Sequence, residues 1–445
     1  MLVPVRDETA TVHAAAGLYL ALLPIVALWM PALLWPLLLG ALGLGALILG
    51  YARLTPICVL WLLIVGITPE MAASDLIGPE AFQPTIAAVK AAEIVLAGLC
   101  ALRYGVRLDA FNPAWAFLAM GAAGLVSGLY PGLTQADSVR SIVGSAAPFA
   151  FFFCRPPPNW ASAMIRAVAW CPSASVAVGL IFSLADLRPL FIDSGGARLA
   201  AVGHPAFLAG VCLSAIYAGL FALYRDGRRG DRLLLATNWL ILVLTGARAP
   251  LMYAALVMGA SLILVRSSAF PARSRLLLGL AALPVLPPLL LASEDLAAVR
   301  LFNMLSTDAG NLSGREFLWP AFEQAAAEAP WFGWGVGAGN AIIPPDSPIA
   351  MLLHTWAAHN EYLRIQVEGG EIGRALLILL FALWVWLRSR VLPVGDSRLI
   401  RLIFMAFAGH AFTDNVLIST PACVLFALIA AIFVRGEAEA RGTRL

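Results

Sequence analysis

The chain has 445 residues, of which 61% are hydrophobic and 12% charged. An average soluble protein is about 25% charged and a single soluble core stops growing at roughly 250–300 residues, so this composition, with a mean hydropathy of +0.86, excludes a soluble enzyme and a disordered chain. A net charge of +3 is too small to imply a nucleic-acid partner, which leaves a multi-span membrane protein.

In chain order, apolar runs separated by arginines or Pro/Gly breaks fall at about 14–30, 32–50, 54–68, 84–102, 113–130, 139–154, 160–184, 205–224, 232–246, 249–265, 274–292, 373–387, 398–412 and 414–434. A hydrocarbon core of about 30 Å asks for roughly 20 apolar residues per helix. Several runs are shorter, so an all-α polytopic transmembrane helical bundle of about 12–14 spans is predicted. The first apolar stretch continues from about residue 14 to residue 50, far longer than that of a cleavable signal. No internal repeat suggests two transporter halves. Four regions follow: N-terminal helices in 1–197, helices carrying a turn at Arg248 in 198–292, a long hydrophilic loop with short helices in 293–372, and C-terminal helices with a tail in 373–445.

Arginine placement orients this bundle. With the N-terminus inside, Arg53, Arg103, Arg107, Arg155, Arg225, Arg228, Arg229, Arg232, Arg266, Arg273, Arg275, Arg388, Arg390, Arg398, Arg401 and Arg435 collect on one face. The opposite loop at 69–83 carries Glu70, Asp75 and Glu80 and no basic residue. This is the positive-inside pattern, and it puts 293–372 and Arg248 on the outer face. Arg140, Arg188, Arg198, Arg248, Arg300, Arg315, Arg364 and Arg374 then lie where the rule selects against them. Each has two readings: a lipid phosphate or carboxylate neighbour, or the forked grip of guanidinium on an anionic substrate. Lys90 is the only lysine, and Glu93 in the same apolar run is expected to neutralise it. Cys58, Cys100, Cys154, Cys171, Cys212 and Cys423 have neither metal nor redox spacing and read as small core residues.

The outer loop holds the motifs. Ser313-Gly-Arg-Glu316 has capping-box spacing, which puts Arg315 in the first turn of a short helix, where free N–H groups and the helix dipole favour an anion. Phe317, Trp319 and Phe322 of that helix are expected on the membrane surface. Trp331 to Asn340 has glycine at 333, 335, 337 and 339 without a phosphate-loop or dinucleotide pattern. It reads as a flexible turn or as backbone approaching a ligand closely. Further on, His359 is expected to share a helix face with Leu363 and Gln366 and to turn a titratable ring toward a cavity. His354 and His359 are five apart, the wrong spacing for two metal ligands on one helix face, and no HExxH or DxD is present, so no metal is inferred.

Together these residues resemble a known family. Thr245-Gly-Ala-Arg-Ala-Pro250, Ser313 to Trp319, Pro330 to Gly339, and His359-Asn-Glu-Tyr-Leu through Glu368-Gly-Gly-Glu-Ile-Gly373 occur in the order seen in the O-antigen ligase/polymerase superfamily. Arg198 to Ala209 looks like an earlier stretch of the same family, and the likeness covers roughly 198–430. Ala247 departs from the pattern, which commonly has serine before the arginine. The resemblance implies a GT-C-like integral-membrane glycosyltransferase of the bacterial inner membrane, its active site facing the periplasm. It would move a glycan from undecaprenyl pyrophosphate to lipid A-core or another glycan acceptor, without metal, nucleotide sugar or other cofactor. Carried over by residue, Arg248 and Arg315 would bind the pyrophosphate and His359 would assist the acceptor hydroxyl. Arg198, Asn360 and Glu368 would be further substrate-binding residues. A polysaccharide polymerase of the same superfamily would use the same residues. A membrane transporter, the rival of another class, would need paired charges at mid-membrane and broken helices in two halves.

Overall fold

The structure, a computed structural model, describes residues 51, 53–193, 196–267, 269–271, 273–275, 317–353 and 355–442. The apolar runs 14–30 and 32–50, most of 274–292, Arg300, Arg315 with its capping box, and His354 lie outside the described residues. The chain divides into two compact units, Met1–Ile57 and Cys58–Leu445. Of the first, the described part is Tyr51 and residues 53–57.

The architecture is an all-α polytopic bundle, with one short hairpin among the described residues. Helix α1 (Leu54–Ile67) meets α2 (Pro69–Leu76) at 62°. Pro69 fixes its own φ and lacks an N–H, so it opens a new helix at a first-turn position. Then come α3 (Phe82–Tyr104), α4 (Ala114–Ser127), α5 (Gln135–Ala146) and α6 (Pro158–Leu184). The hairpin β1 (Phe191–Asp193) and β2 (Ala197–Leu199) pairs antiparallel, with Ile192 opposite Arg198. After it follow α7 (Pro205–Arg225), α8 (Arg229–Thr245), α9 (Arg248–Leu264), α10 (Trp319–Glu328), α11 (Pro348–Leu353), α12 (Glu361–Ser389), α13 (Val394–His410) and α14 (Thr420–Ala440).

Among the described residues, five stretches are long and apolar enough to cross a membrane: Pro79–Tyr104, Pro158–Leu184, Pro205–Arg225, Glu361–Ser389 and Thr420–Ala440. The bent pair α1–α2 would be a sixth, and α4 and α9 are shorter apolar helices. The run expected at 139–154 is not one helix. Thr134 caps α5 by accepting from the Asp137 N–H, and the chain passes into a 3₁₀ segment at Ala147–Phe153, where Pro148 cannot continue the α ladder.

Burial separates centre from rim. In the apolar stretches of α14 and α7, 89% and 78% of residues are buried, against 28–39% for the other three. Those two helices therefore form the core, while Leu102, Val126, Ile263 and Met405 on other helices point outward. Such outward apolar side chains suit a hydrocarbon solvent that offers no hydrogen bonds. Alanine and glycine let α14 approach its neighbours closely; Gly436, for example, lies against Leu392. Aromatic rings fill the space between α12, α13, α14 and the 3₁₀ segment, with Phe149–Phe426 centroids 4.5 Å apart and Phe152–Trp384 4.6 Å apart.

The glycine-rich segment has a structural task. Helix α12 is broken at Gly370 (φ 60°, ψ −166°). Trp334 N–H and Gly335 N–H donate to the Val367 and Glu368 carbonyls that the break releases, at 2.9 and 3.0 Å. In return, the Glu371 and Ile372 N–H groups donate to Pro330 and Trp331 carbonyls at 2.8 and 3.2 Å. A Cβ at Gly333 would sit 2.5 Å from the Glu368 carbonyl carbon, so the side-chain-free backbone is what permits the docking. The close approach is of backbone to backbone: the motifs at 330–339 and 368–373 are two halves of one joint. Helix α10 packs over it, and Phe322 is fully buried with Leu318, Ala325, Leu363 and Val367. Phe322 therefore does not lie on a membrane surface, because α10 turns its apolar face onto α12; Phe317 is exposed and Trp319 half-buried.

Candidate active site

A cavity of about 850 Å³ opens where the N-terminal ends of α3, α7, α12 and α14 converge. Its wall includes His359, Asp414 and Thr355, with Arg198, Lys90 and Tyr217 further along.

His359 is not a helix residue. Asn360 has extended backbone and caps α12, its Oδ1 accepting from the Leu363 N–H at 3.2 Å. That ends the helix one residue too early for His359, which sits at φ 46°. A left-handed non-glycine residue costs on the order of 1–3 kcal/mol and persists where its surroundings over-determine it. Here they do. Glu361 N–H donates to the Ala411 carbonyl at 2.7 Å, tying α12 to the end of α13, and Trp319 Nε1 donates to Ala358 O at 2.9 Å.

The ring held this way has two partners. His359 Nδ1 lies 2.9 Å from Asp414 Oδ1, and Nε2 lies 2.9 Å from Thr355 Oγ1. An ionised Asp414 accepts only, so the consistent assignment puts the proton on Nδ1 and leaves the Nε2 lone pair to the Thr355 hydroxyl. A carboxylate thus fixes the tautomer and orientation of an imidazole whose other nitrogen faces a hydroxyl. That is the arrangement a general base for an alcohol requires. Sequence reasoning missed Asp414 and Thr355. Asp414 had a signal: it is an acid at the first position of the run 414–434, directly after the run 398–412, on the face where the loop is expected.

The arginines expected on the outer face separate into two groups. Arg140 pairs with Asp137 at 2.9 Å, Arg188 pairs with Asp75 and donates to the Gly203 carbonyl, and Arg374 pairs with Glu371 at 2.5 Å. Arg364 is buried between Glu361 and Glu368, bonding Glu368 at 2.6 Å. For these four, a carboxylate neighbour accounts for the charge. Arg198 lines the cavity from β2, and its Nε donates at 2.8 Å to Thr245 O at the C-terminal end of α8. That bond steadies the turn through Gly246 (φ 60°) into α9, whose first residue is Arg248. Arg248 is exposed, and among the described residues no carboxylate pairs with it. It is absent from the cavity wall, although Pro250 two residues on is part of it.

Of the other expected site residues, Asn360 directs its side-chain oxygen to the cap. Glu368 Oε2 holds Arg364, while Oε1 is buried without a hydrogen bond at the cavity wall. The glycine segment reaches the cavity at Gly337 and Asn340. Lys90 and Glu93 do not form the expected ion pair: Lys90 Nζ donates to Ile418 O at 2.8 Å, and neither Glu93 oxygen is hydrogen-bonded. All six cysteines are buried and free, and no three His, Cys, Asp or Glu side chains among the described residues converge on a metal position.

Residues 233–378 match the family model described as O-antigen ligase. The matched stretch includes the Arg248 turn, the glycine segment, His359 and the break in α12. No curated protein matches the chain.

Proposed function

We propose that this chain, whose residues 233–378 match the O-antigen ligase family model, transfers a glycan from undecaprenyl pyrophosphate to lipid A-core at the periplasmic face of the bacterial inner membrane. The observation that carries this reading is His359, oriented by Asp414 and presenting Nε2 to a hydroxyl at 2.9 Å on the wall of a cavity large enough for a sugar.

In this reading the acceptor hydroxyl takes the position that Thr355 Oγ1 holds and gives its proton to Nε2 as it attacks the anomeric carbon. Asp414 stabilises the imidazolium that forms. The bond from the anomeric carbon to pyrophosphate breaks, and negative charge grows on the leaving oxygen. Arg248 and Arg315 would meet that charge, since preorganised guanidinium donors act most strongly where charge develops. Arg198 holds the turn that carries Arg248, and the unpaired Glu368 Oε1 is placed to accept from a sugar hydroxyl.

Deleting the gene and analysing the surface glycan tests the reading. A lost ligase leaves polymer on its lipid carrier and bare lipid A-core. Single repeat units on lipid A-core would make the protein a polymerase instead, and an unchanged surface glycan would remove both.

A further inference from the structure

Lys90 is the only lysine of the chain, it is 5% exposed, and it belongs to the cavity wall. An ammonium group has three N–H donors. One goes to the Ile418 carbonyl at 2.8 Å, and among the described residues no other acceptor is hydrogen-bonded to it and no carboxylate pairs with it. The facing helix α5 presents Gly144 to it; even a Cβ there would stay 3.7 Å from Nζ. Ser141 and Ser145 on α5, Gln83 two turns earlier on α3, and Thr420 at the start of α14 line the same wall. Glu93 and Glu361 act on Lys90 through their charge without bonding to it, and a buried cation with spare donors beside hydroxyls can take an anion that arrives from outside.

Resting on the transfer reading above, we propose that Lys90 forms an anion subsite of the transfer cavity. It recognises a phosphate or carboxylate carried by the donor and adds to the grip assigned to the arginines. A carrier pyrophosphate and an acidic sugar are the two sources of such a group.

The single lysine makes the test direct. Reductive methylation of the full-length protein in detergent with ¹³C-formaldehyde places labels on Lys90 and the α-amino group alone. The Lys90 signal is then followed while geranyl diphosphate is added, and separately while glucuronate is added, with the α-amino signal as internal control. A saturable shift of Lys90 alone with geranyl diphosphate assigns the subsite to carrier phosphate; with glucuronate, to an acidic sugar. Lys90→Met should then weaken binding of that probe about tenfold, as expected for one charge-assisted hydrogen bond, and Lys90→Arg should largely retain it. No movement with either probe, or no methylation of Lys90, overturns the proposal. The outcome is separable from that of the transfer reading. If His359→Ala abolishes transfer while the Lys90 signal stays still, only the subsite falls. If the signal moves and His359→Ala transfers at full rate, the catalytic assignment falls.

Discussion

The two ends of the long helices differ in how completely their cations are paired. At the C-terminal ends of α3, α7, α12 and α14, arginines meet carboxylates. Arg107 pairs with Glu437, Arg388 forms an ion pair with Glu437 at 2.8 Å and lies 3.7 Å from Asp109, and Arg225 holds Asp396 at 2.6 Å as well as Glu439. Basic residues there also answer the negative ends of the helix dipoles. At the N-terminal ends lie the cavity, Lys90 with only a carbonyl partner, and Arg248 with no carboxylate among the described residues. Arginine is therefore a fastener at the C-terminal ends, whereas at the N-terminal ends it is either fastened, as Arg364 is between Glu361 and Glu368, or left without a carboxylate among the described residues, as Arg248 is. What distinguishes the two roles is the partner, which the arginine itself does not reveal. The positive dipole ends of four helices converge on the cavity end, and this favours an anion there further.

The strongest way to break that contrast is at the histidine. Removing a general base typically costs about 10²–10⁴ in rate, so His359→Ala should lose transfer by roughly that factor while the protein stays folded in the membrane. Asp414→Asn should fall nearly as far, because an amide no longer fixes the Nδ1–H tautomer. The measurement is single-turnover transfer from a lipid-linked donor, with donor binding recorded beside it. Full activity in both variants would turn the dyad into a structural contact.

Arg248 comes next. Losing one preorganised donor to a developing charge costs on the order of 10²–10³ in rate. Lysine keeps the charge and loses the fork, so Arg248→Lys should transfer far below wild type and bind donor more weakly. Equal binding and rate would show that an exposed arginine without a carboxylate partner is merely solvated, and the contrast between the two ends would lose its functional meaning.

At the other end, Arg388→Met should act on stability alone. It leaves Glu437 with Arg107 but strips a partly buried network of one cation, a loss of up to about 3 kcal/mol. Thermal unfolding in detergent should shift downward while transfer per folded molecule stays unchanged. A loss of transfer with unchanged stability would mean that the ionic end takes part in the reaction.

How far the sequence discloses this arrangement depends on what kind of information it needs. The runs 160–184 and 205–224 coincide with Pro158–Leu184 and Pro205–Arg225 to within two residues, because an apolar stretch of that length has one stable state in lipid. Arg248 and His359 stand out as residue types in unusual places, and the structure adds the reason His359 is held. By contrast, Asp137, Asp75, Glu361 and Glu371 as partners of the outer arginines depend on side-chain direction and, for Asp75, on a contact across 113 residues. The glycine segment was ambiguous for a similar reason. Positive φ at Gly333, Gly335 and Gly337 meets a broken helix more than thirty residues away, and local spacing does not encode that meeting. Asp414 was hidden by segmentation, since it falls at the edge of an apolar run.

The smallest effect expected is at Arg374, and it sharpens the comparison most finely. Arg374, like Arg248, is expected from the arginine pattern on the outer side, where the orientation rule selects against arginine. It differs in having partners: Glu371 at 2.5 Å and Gln366 Oε1 at 3.0 Å. Its side chain is 33% exposed and that of Glu371 is 42% exposed. Pairs this open contribute roughly 0–1 kcal/mol, because water screens them and two long side chains lose freedom. Glu371 also keeps its backbone hydrogen bond to Pro330 whatever stands at 374, so the joint at Gly370 is not disturbed. Arg374→Ala should therefore lower the unfolding temperature by a few degrees at most and leave transfer within about twofold of wild type. A drop comparable with that of Arg248→Lys would mean that a carboxylate partner does not keep an outer arginine out of the reaction. Partner identity would then cease to separate the two kinds of arginine, and Arg140 would become the next side chain to replace.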